Sequence, residues 1–321
     1  MIMIDIVIPN YNASCYLKNC IDSVLSQTYN DFRIIVIDNN SEDDSYEWLK
    51  EHKNILYKKL DKNYGFSVAV NEGIKLSNSE YVILLNNDTE VKKDWIENLI
   101  KTIESNENIF SASSKMIRYY EREIIDDAGD EYNLIGWTLK RGDGKSIKKF
   151  NKNKIVFSSC AGAAIYRRSI LDEIGYFDEK FFAYMEDIDI SYRARIYGYT
   201  NIYCSDAIVY HIGSGTTGSR YNDFKVRLSV RNNVYLIYKN MPFLQILINI
   251  PFLLTGFLIK YIFFITKGYG NSYKKGFKEG IKSLDKMVKI KFCWSNLYNY
   301  IKIEFLMIIN IFKYFINQII K

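Results

Sequence analysis

The chain has 321 residues, 48% apolar and 25% charged, an ordinary composition for a globular protein with one large domain or two modest ones. Two His residues and five Cys residues without a CxxC pair exclude a His-rich metal site and indicate a reducing compartment. The net charge of +6 combines −3 over residues 1–240 with +9 over residues 241–321, which is unlike a nucleic-acid binder and typical of a domain attached to an anionic membrane surface.

Predicted strands and helices alternate through the first 85 residues. We predict strands over residues 4–8, 32–37, 55–60 and 81–85, and helices over residues 17–27, 43–52 and 65–76. The start of the chain lacks a basic leader, so we expect it to be the first buried strand and not a signal peptide. Apolar strands that end in polar turns are typical of a parallel α/β sheet, which is the predicted fold class.

Polar side chains follow several of these strands. Asp38, Asn63 and Asp88 each come just after a predicted strand. Because ligands of parallel sheets bind beyond the carboxyl ends of the strands, we expect these side chains on one rim. Farther along, a strand predicted over residues 155–160 leads into small residues around Gly162, which permit close approach of a ligand to the backbone.

The segment 177–190 crowds acidic side chains against aromatic ones. A carboxylate in an aromatic wall can have a tuned pKa and can take a proton from a hydroxyl, so Asp187 is the candidate catalytic base. Acids in the first turn of a helix can also be plain caps, and Asp189 can pair with Arg193 one turn later.

The region around this segment is less regular. Residues 110–165 are predicted to be short strands and Gly-rich loops, and residues 188–197 a helix. A strand predicted over residues 202–210 ends at His211. The Gly-rich loop 213–219 is a predicted flexible lid.

Residues 241–321 differ in character from the main domain at residues 1–240. Residues 242–259 are almost entirely apolar, and residues 296–320 have apolar side chains at helical spacing with Lys on other faces. We expect a hairpin or helix in the membrane interface, with packing on the protein itself or a dimer interface as the alternative. Deleting the chain after Met241 should then release it from membranes.

Seven short motifs carry a resemblance to a known family. With these motifs, the region from residue 5 to about residue 238 resembles a family 2 glycosyltransferase of GT-A fold, a mostly parallel sheet flanked by helices. It is most similar to the bacterial branch that includes rhamnosyltransferases of surface polysaccharides. The motifs lie at residues 7–12, 36–41, 63–66 with Asn71 and Gly73, 84–88, 128–129, 175–178 and 186–187.

The resemblance implies a nucleotide-binding rim. Pro9, Tyr11 and Asp38 match positions that hold the base, where Asp38 can accept the imide N–H of uracil or thymine and Tyr11 can stack on the ring. The alternative for Asp38 is a cap on the following helix. The other matches to nucleotide-binding positions are Asn12, Asn63, Gly65, Asn71 and Asn87.

The turn at residues 86–88 matches the family's Asp-x-Asp metal motif, with Asn86 in the first place. Asp88 supplies a hard oxygen for Mg²⁺ or Mn²⁺, whereas Asn86 supplies at best a neutral one. The alternative is a plain polar turn. His211 matches a His near the leaving diphosphate or the metal, although a lone His is often structural. Arg231 matches a cationic position that reaches the diphosphate or pairs with an acid.

By this resemblance the chain is an inverting, metal-dependent glycosyltransferase. Asp187 matches the family's base, and Glu186 orients it or contacts the acceptor. The expected partners are a UDP- or dTDP-linked sugar, a glycan or lipid-linked glycan acceptor and, for residues 241–321, the cytoplasmic face of the cell membrane or a second copy. No nucleic-acid partner is expected.

Two other functions compete with this one. A non-catalytic nucleotide-sugar-binding subunit of a membrane glycan-assembly complex is favoured by Asn86 and opposed by Asp88 and Asp187. A nucleotidyltransferase also needs metal and nucleotide, but no basic loop for a triphosphate lies near residues 9–12. The sequence leaves open the sugar, the linkage, and uridine or thymidine in the donor.

Overall fold

The computed structural model describes residues 3–43, 48–49, 52, 55–213 and 221–319, with the backbone alone for residues 317–319. The strands of this part are β1 Ile4–Asn10, β2 Phe32–Asp38, β3 Ile55–Lys59, β4 Tyr81–Leu85, β5 Thr89–Val91, β6 Ile109–Arg118, β7 Ile125–Asp127, β8 Asp130–Tyr132, β9 Thr138–Lys140, β10 Lys154–Val156, β11 Ala163–Arg167 and β12 Thr200–His211. Its α-helices are α1 Ser14–Leu25, α2 Phe66–Leu76, α3 Trp95–Ile103, α4 Arg168–Ile174, α5 Glu186–Ile196, α6 Asp223–Asn240, α7 Phe243–Thr266, α8 Gly270–Lys282 and α9 Leu297–Ile319.

Ten of these strands form one sheet, in the order β10-β12-β6-β11-β4-β1-β2-β3, with β5 added at β12 and β7 at β6. The run β4-β1-β2-β3 is parallel throughout, and β11 is antiparallel to both β4 and β6. All five residues of β4 are buried, because strands with helices on both faces bury both rows of side chains. The α/β sheet predicted from the sequence is confirmed.

Helices cover the two faces of this sheet with separate hydrophobic cores. On one face, α1 and α3 pack against strand residues such as Ile6 and Ile83. On the other face, α2, α4 and the C-terminal half of α5 pack against residues such as Val7 and Leu84. Neighbours in sequence thus point to opposite sides of the sheet, as strand geometry requires.

A third core joins the C-terminal helices to the rest of the molecule. Ile188 and Tyr192 of α5 pack with Leu253 of α7 and with Ile303 and Met307 of α9. Of the helices that begin after residue 240, α7 and α9 therefore share a core with α5. α7 continues through Pro251, where the missing N–H removes one intrahelical hydrogen bond.

Most predicted strands and helices agree with the structure to within three residues. The strand predicted over residues 155–160 is wrong beyond Val156, because Ser158 forms an isolated bridge with Asp130 and the chain then turns. The short strands and glycine turns predicted between residues 110 and 165 are present.

Two predictions fall mainly outside the described residues. The helix predicted over residues 43–52 does so, although Trp48 and Leu49 within it are helical. The predicted lid at residues 213–219 also lies outside them, apart from Gly213. In addition, α3, α4, α6 and α8 had no predicted counterpart.

Candidate active site

Three polar side chains form a buried row of hydrogen bonds where β1, β2 and β4 end. Asn87 donates to Asn10 at 2.7 Å, and Asn10 donates to Asp38 at 2.9 Å. Asp38 is fully buried and also accepts the backbone N–H of Ser41 at 2.7 Å. Residues 39–41 are not helical and Asn40 has a φ of 64°, so the Ser41 contact closes a loop turn and gives the capping alternative no support. The contact of Asp38 with a base stays a prediction. Asn10 was not selected from the sequence, although it ends a strand beside Asp38.

The loop after β1 carries the next predicted residues. Pro9 lies within β1, opposite Ile37 of β2. Asn12 has a left-handed backbone, with a φ of 49°, and its side-chain oxygen accepts the N–H of Glu42 at 2.8 Å. This bond fixes the loop that presents Tyr11, whose ring is half-buried and keeps exposed surface for stacking.

Gly65 joins this rim to the segment that precedes the predicted base. Its φ is +88°, and a Cβ there would lie 2.5 Å from the carbonyl oxygen of Phe182, so a larger residue does not fit. The side chain of Asn63 accepts the N–H of Gly65 at 2.9 Å, and the side chain of Asn39 donates to the carbonyl of Gly65 at 2.9 Å. Asn39 was not selected from the sequence.

Asn71 is engaged by the backbone of the protein itself. Its side chain donates to the carbonyl of Phe177 at 2.8 Å, accepts the N–H of Phe177 at 3.1 Å, and is 3% exposed. These bonds join α2 to the segment before α5. They give Asn71 a structural role and provide no support for its predicted contact with a nucleotide.

A short loop at residues 160–162 connects the predicted metal motif to the predicted base. The N–H of Asn86 donates to the carbonyl of Gly162 at 2.8 Å, and a Cβ on Gly162 would lie 3.0 Å from the side-chain nitrogen of Asn86. The N–H of the preceding residue, Ala161, donates to the carboxylate of Asp187. The same loop therefore touches both halves of the candidate site.

His211 lies between two carboxylates. Its Nε2 is 3.3 Å from Oδ1 of Asp88, and its Nδ1 is 2.8 Å from Oδ2 of Asp126. Burial lowers the pKa of His211, but the two carboxylates outweigh burial and raise it to about 9. The imidazole is therefore protonated at neutral pH and holds the two acids together. Asp126 was not selected from the sequence.

Asp88 and His211 suit a divalent cation. An oxygen and a nitrogen 3.3 Å apart can share one ion, which would take the place of the bridging proton. Asp126 would then accept Nδ1–H of a neutral His211, the usual support for a metal-bound imidazole. Asn86 adds no negative charge to this donor set, and its backbone carbonyl already accepts the hydroxyl of Thr89 at 2.6 Å.

Glu186 and Asp187 form an acidic pair at the start of α5. Burial raises the pKa of Asp187, and the N–H groups of Ile188 and Ala161 oppose that rise. Glu186 is buried, its Oε2 has no hydrogen-bond partner among the described residues, and burial together with Asp187 raises its pKa well above the usual range. Of these two adjacent acids, Glu186 has the more strongly raised pKa, so Asp187 is the better candidate for the ionised one.

A second cluster of acidic side chains, not selected from the sequence, lies near Asp187. The ligating atoms of Asp127, Asp130 and Cys160 lie within 4.8 Å of one another. Burial raises the pKa of Asp127 to about 6 and that of Asp130 well above its usual value, and Asp187 contributes to both shifts. Lys140 is a cation that opposes these shifts. A negative charge on Asp187 thus raises the pKa of Asp127 and Asp130 and favours their protonated forms.

The loop before α5 has an unusual backbone. Phe182, Tyr184 and Met185 have φ values of 64°, 70° and 72°, a left-handed conformation that non-glycine residues adopt only with support from their surroundings. Asn232 of α6 supplies that support and was missed from the sequence. Its side-chain nitrogen lies 2.7 to 2.8 Å from three carbonyl oxygens of the loop, those of Phe181, Ala183 and Tyr184.

Arg231 contacts the same loop. Its guanidinium donates to the carbonyls of Phe181 at 2.9 Å and Lys180 at 3.2 Å, and lies over the ring of Tyr235. Burial lowers the pKa of Arg231. The contacts that the structure describes include no acidic partner, so the pairing alternative has no support, and contact with a diphosphate stays a prediction.

Asp189, two residues after Asp187, has a structural role. The predicted pair with Arg193 is confirmed, with Oδ2 of Asp189 3.0 Å from a guanidinium nitrogen and both side chains buried. Lys239 and Asn240 of α6 donate to the same carboxylate at 2.9 and 2.8 Å. These bonds fasten α5 to α6 and leave Asp187 as the acid that faces the 160–162 loop.

The family follows from a comparison with known proteins. The family model described as glycosyl transferase family 2 matches residues 5–175, more than half of the chain. The chain belongs to this family. The match includes Asp38 and the turn at residues 86–88, and it ends before Asp187, His211 and Arg231.

Family 2 relatives match the chain over part of their length. A low-salt glycan biosynthesis hexosyltransferase of Haloferax volcanii is 30% identical over 200 residues, which cover 60% of this chain and 61% of that protein. The glycosyltransferase GlyA of Streptococcus pneumoniae is 34% identical over 103 residues, covering 31% of this chain and 15% of that protein. The chain therefore spans less than two thirds of the length of these two relatives.

Solved structures share the fold. GalNAc-T7 with UDP, GalNAc and Mn²⁺ has a TM-score of 0.61 at 17% identity and covers 74% of this chain and 48% of that one. Residues 1–349 of S. aureus TarS, in complex with UDP-GlcNAc, have a TM-score of 0.59 at 17% identity and cover 94% and 90%. This family 2 chain has the GT-A fold, which confirms the predicted fold class.

Proposed function

We propose that the chain moves a sugar from a UDP- or dTDP-linked donor to a hydroxyl of a glycan or lipid-linked glycan during cell-surface polysaccharide synthesis, with inversion at the anomeric carbon. Family membership supports glycosyl transfer, and the relative from Haloferax volcanii is named for glycan biosynthesis. The order of the sequence motifs favours the branch that includes rhamnosyltransferases. The observation that carries the proposal is the 160–162 loop, which contacts both Asn86 and Asp187.

The donor would lie along the rim formed by the ends of β1, β2 and β4. Asp38 would accept the imide N–H of the base, and the exposed part of Tyr11 would stack on it. The diphosphate would lie near Asp88 and His211, at the end of β4. A divalent cation, Mg²⁺ or Mn²⁺, held by Asp88 and His211 would stabilise the charge that develops on the leaving diphosphate.

Asp187 would accept the proton of the acceptor hydroxyl. The acceptor oxygen attacks the anomeric carbon on the face opposite the diphosphate, and the bond from that carbon to the diphosphate oxygen breaks. The nucleoside diphosphate leaves with the bonding electrons, and the hydroxyl proton passes to the carboxylate of Asp187. The raised pKa of Glu186 favours its neutral form, so Asp187 would be the acid of this pair that acts as base.

The experiment is to compare sugar transfer by wild type and Asp187→Asn, with a panel of UDP- and dTDP-sugars and Mn²⁺. We expect kcat to fall about 100-fold to 10,000-fold in Asp187→Asn, because the amide cannot accept the proton. Donor binding, measured by calorimetry, should be unchanged. Asp22→Asn is the matched control, since Asp22 is an exposed residue of α1. Equal transfer by Asp187→Asn and wild type would remove Asp187 from the mechanism.

Asn86 favours one alternative, a non-catalytic nucleotide-sugar-binding subunit of a membrane glycan-assembly complex. A neutral side chain in the first place of the metal motif weakens the charge available to a cation. In that case wild type would bind a sugar nucleotide and show no transfer or hydrolysis with any donor, with either Mg²⁺ or Mn²⁺. Asp187→Asn would then match wild type in every measurement.

A further inference from the structure

The two long C-terminal helices place polar side chains towards the protein. Asn249 and Gln245 of α7 donate to Glu304 of α9 at 3.0 and 2.7 Å, and Asn310 of α9 donates to Glu131 at 3.0 Å. Asn249 and Asn310 are each only 1% exposed. Apolar side chains such as Leu253 and Met307 also face the protein, but buried amide and carboxylate groups are uncommon on the inner side of a surface helix of a soluble protein.

The opposite sides of both helices are apolar and exposed. In α7 the buried residues Asn249, Leu253 and Gly256 occupy one stripe, and the leucines and isoleucines half a turn away are 51% to 65% exposed. We call the exposed apolar side chains of the two helices the outer face. In α7 it consists of Leu244, Leu247, Leu254, Leu258, Ile262 and Ile265. In α9 it consists of Ile301, Phe305, Ile309, Phe312 and Ile316, which are 45% to 63% exposed.

An exposed apolar surface of this extent is expected to bind a lipid or protein partner. Soluble monomers rarely expose apolar patches that run over two long helices. Among the described residues, α7 is the one helix that is long and apolar enough to cross a membrane, with a mean hydropathy of 1.9. The backbone of α7, however, lies against the body of the protein, where the indole N–H of Trp137 donates to the carbonyl of Gly256 at 3.1 Å. This contact favours a helix lying flat in an interface.

The charge of this region is complementary to anionic lipid. Residues 241–321 contain twelve Lys, no Arg and three acidic residues. Two of those acids are already engaged, Glu279 with Arg227 at 2.7 Å and Glu304 with the α7 amides. Exposed lysines line α8, namely Lys274, Lys275, Lys278 and Lys282. A second copy of the chain on this surface would bring like charges together, whereas anionic headgroups neutralise them.

We infer that the outer face lies in the apolar boundary of an anionic lipid bilayer, with the lysines of α8 at the headgroups. The inward Asn and Glu side chains stay hydrogen-bonded to the protein, so no polar side chain of the buried stripe has to enter lipid. In the cell this corresponds to peripheral attachment at the cytoplasmic face of the membrane. Vesicle binding needs neither donor nor acceptor and is independent of sugar transfer.

The test is sedimentation of the full chain with vesicles of phosphatidylcholine alone or of phosphatidylcholine mixed with phosphatidylglycerol. Wild type should bind the mixed vesicles more tightly. Leu254→Gln combined with Leu258→Gln should weaken binding to both by about tenfold or more, because two leucines no longer enter lipid favourably. Replacing Lys274, Lys275 and Lys278 by Gln should remove the preference for mixed vesicles.

The control is Leu25→Gln combined with Ile155→Gln. These side chains are 49% and 58% exposed and lie outside the C-terminal helices, so binding should equal that of wild type. Thermal unfolding checks that each variant folds. If the leucine variant does not fold, the lysine variant, which leaves the apolar residues in place, decides the question. The inference is overturned if wild type stays in the supernatant with both vesicles or if the leucine variant binds as wild type does. It is equally overturned if light scattering shows a wild-type dimer that the leucine changes dissociate while no form binds vesicles.

Discussion

Asp126 is the residue that orients His211. It accepts from Nδ1 at 2.8 Å while Nε2 faces Asp88, so it fixes which nitrogen points to the predicted metal. We expect Asp126→Asn to lower the affinity for Mn²⁺ about 10-fold to 100-fold, because the amide orients the ring without supplying charge. Calorimetric titration of Mn²⁺ in the presence of UDP measures this directly.

The control for this change is Asp143→Asn. Asp143 pairs with Arg118 at 3.0 Å, whereas the acids that contact His211 in the described part of the chain are Asp88 and Asp126, so Mn²⁺ affinity should be retained. If Asp126→Asn bound Mn²⁺ as tightly as wild type does, His211 would have no part in holding the cation.

Motifs in the sequence selected some residues that the structure brings together. Asp88 was expected to bind the metal and His211 to lie near the metal or the leaving diphosphate, and the two side chains are 3.3 Å apart, while their roles stay predictions. Asp126 and Asn232 could not be found this way, because their roles depend on contacts with residues 85 and about 50 positions away in sequence. No local pattern distinguishes Asp126 from the adjacent Asp127, and only the fold shows that they serve different groups.

Among the secondary-structure elements, the predictable ones were those whose apolar residues form a continuous run or recur at helical spacing. α2 and β4 match their predicted bounds to within one residue, because the spacing of their apolar residues and their amino-acid composition indicate the same type of element. α6 buries Asn232, Asn233 and Lys239 together with its apolar residues, so no single apolar face marks it in the sequence. For α3 the signal was present, since Ile96, Leu99 and Ile103 recur at helical spacing.

The junction of α5 and α6 depends on an ionised Asp189. Burial alone would raise its pKa, but Lys239 and Arg193 outweigh burial and hold the pKa below its usual value. A carboxyl whose pKa is depressed by folding stabilises the protein above its unfolded-state pKa of about 3.9 and loses that contribution as the pH falls further.

We therefore expect Asp189→Asn to lower the free energy of unfolding by about 3 to 5 kcal/mol at pH 7, because it removes the buried negative charge beside Arg193 and leaves Lys239 with Asp178 alone. The difference from wild type should shrink below about pH 4. Denaturant unfolding at the two pH values measures it. The half-exposed Asp172, which pairs with Arg168 at 3.7 Å, gives the control Asp172→Asn, with an expected change below about 1 kcal/mol. A difference that stays constant with pH would show that Asp189 is not ionised in the fold.

For the whole molecule, the structure changes the expected result of removing residues 242–321. The sequence predicted a soluble, released catalytic domain. The structure shows that Leu253, Ile303 and Met307 complete the core around α5. Burial of three such side chains contributes about 4 to 9 kcal/mol, which is comparable with the stability of an ordinary domain.

We therefore expect the chain truncated after Met241 to be destabilised or insoluble rather than simply released from membranes. Circular dichroism and thermal unfolding of the truncated and full chains check this. A truncated protein with the melting temperature of the full chain would show that residues 1–241 fold alone, as the sequence predicted.

The pairing of β6 with β7 has a consequence for how the chain can vary. Met116 and Ile117 pair with Asp127 and Ile125, so Asp126 is an extra residue, a bulge, in the edge strand. Surface turns such as residues 119–124 ordinarily tolerate insertions and deletions. The strand after this turn does not, because losing one residue of β7 would remove the bulge and move the carboxylate of Asp126 away from His211. The number of residues in β7 is therefore fixed by an imidazole on another strand, even where the turn before it varies in length.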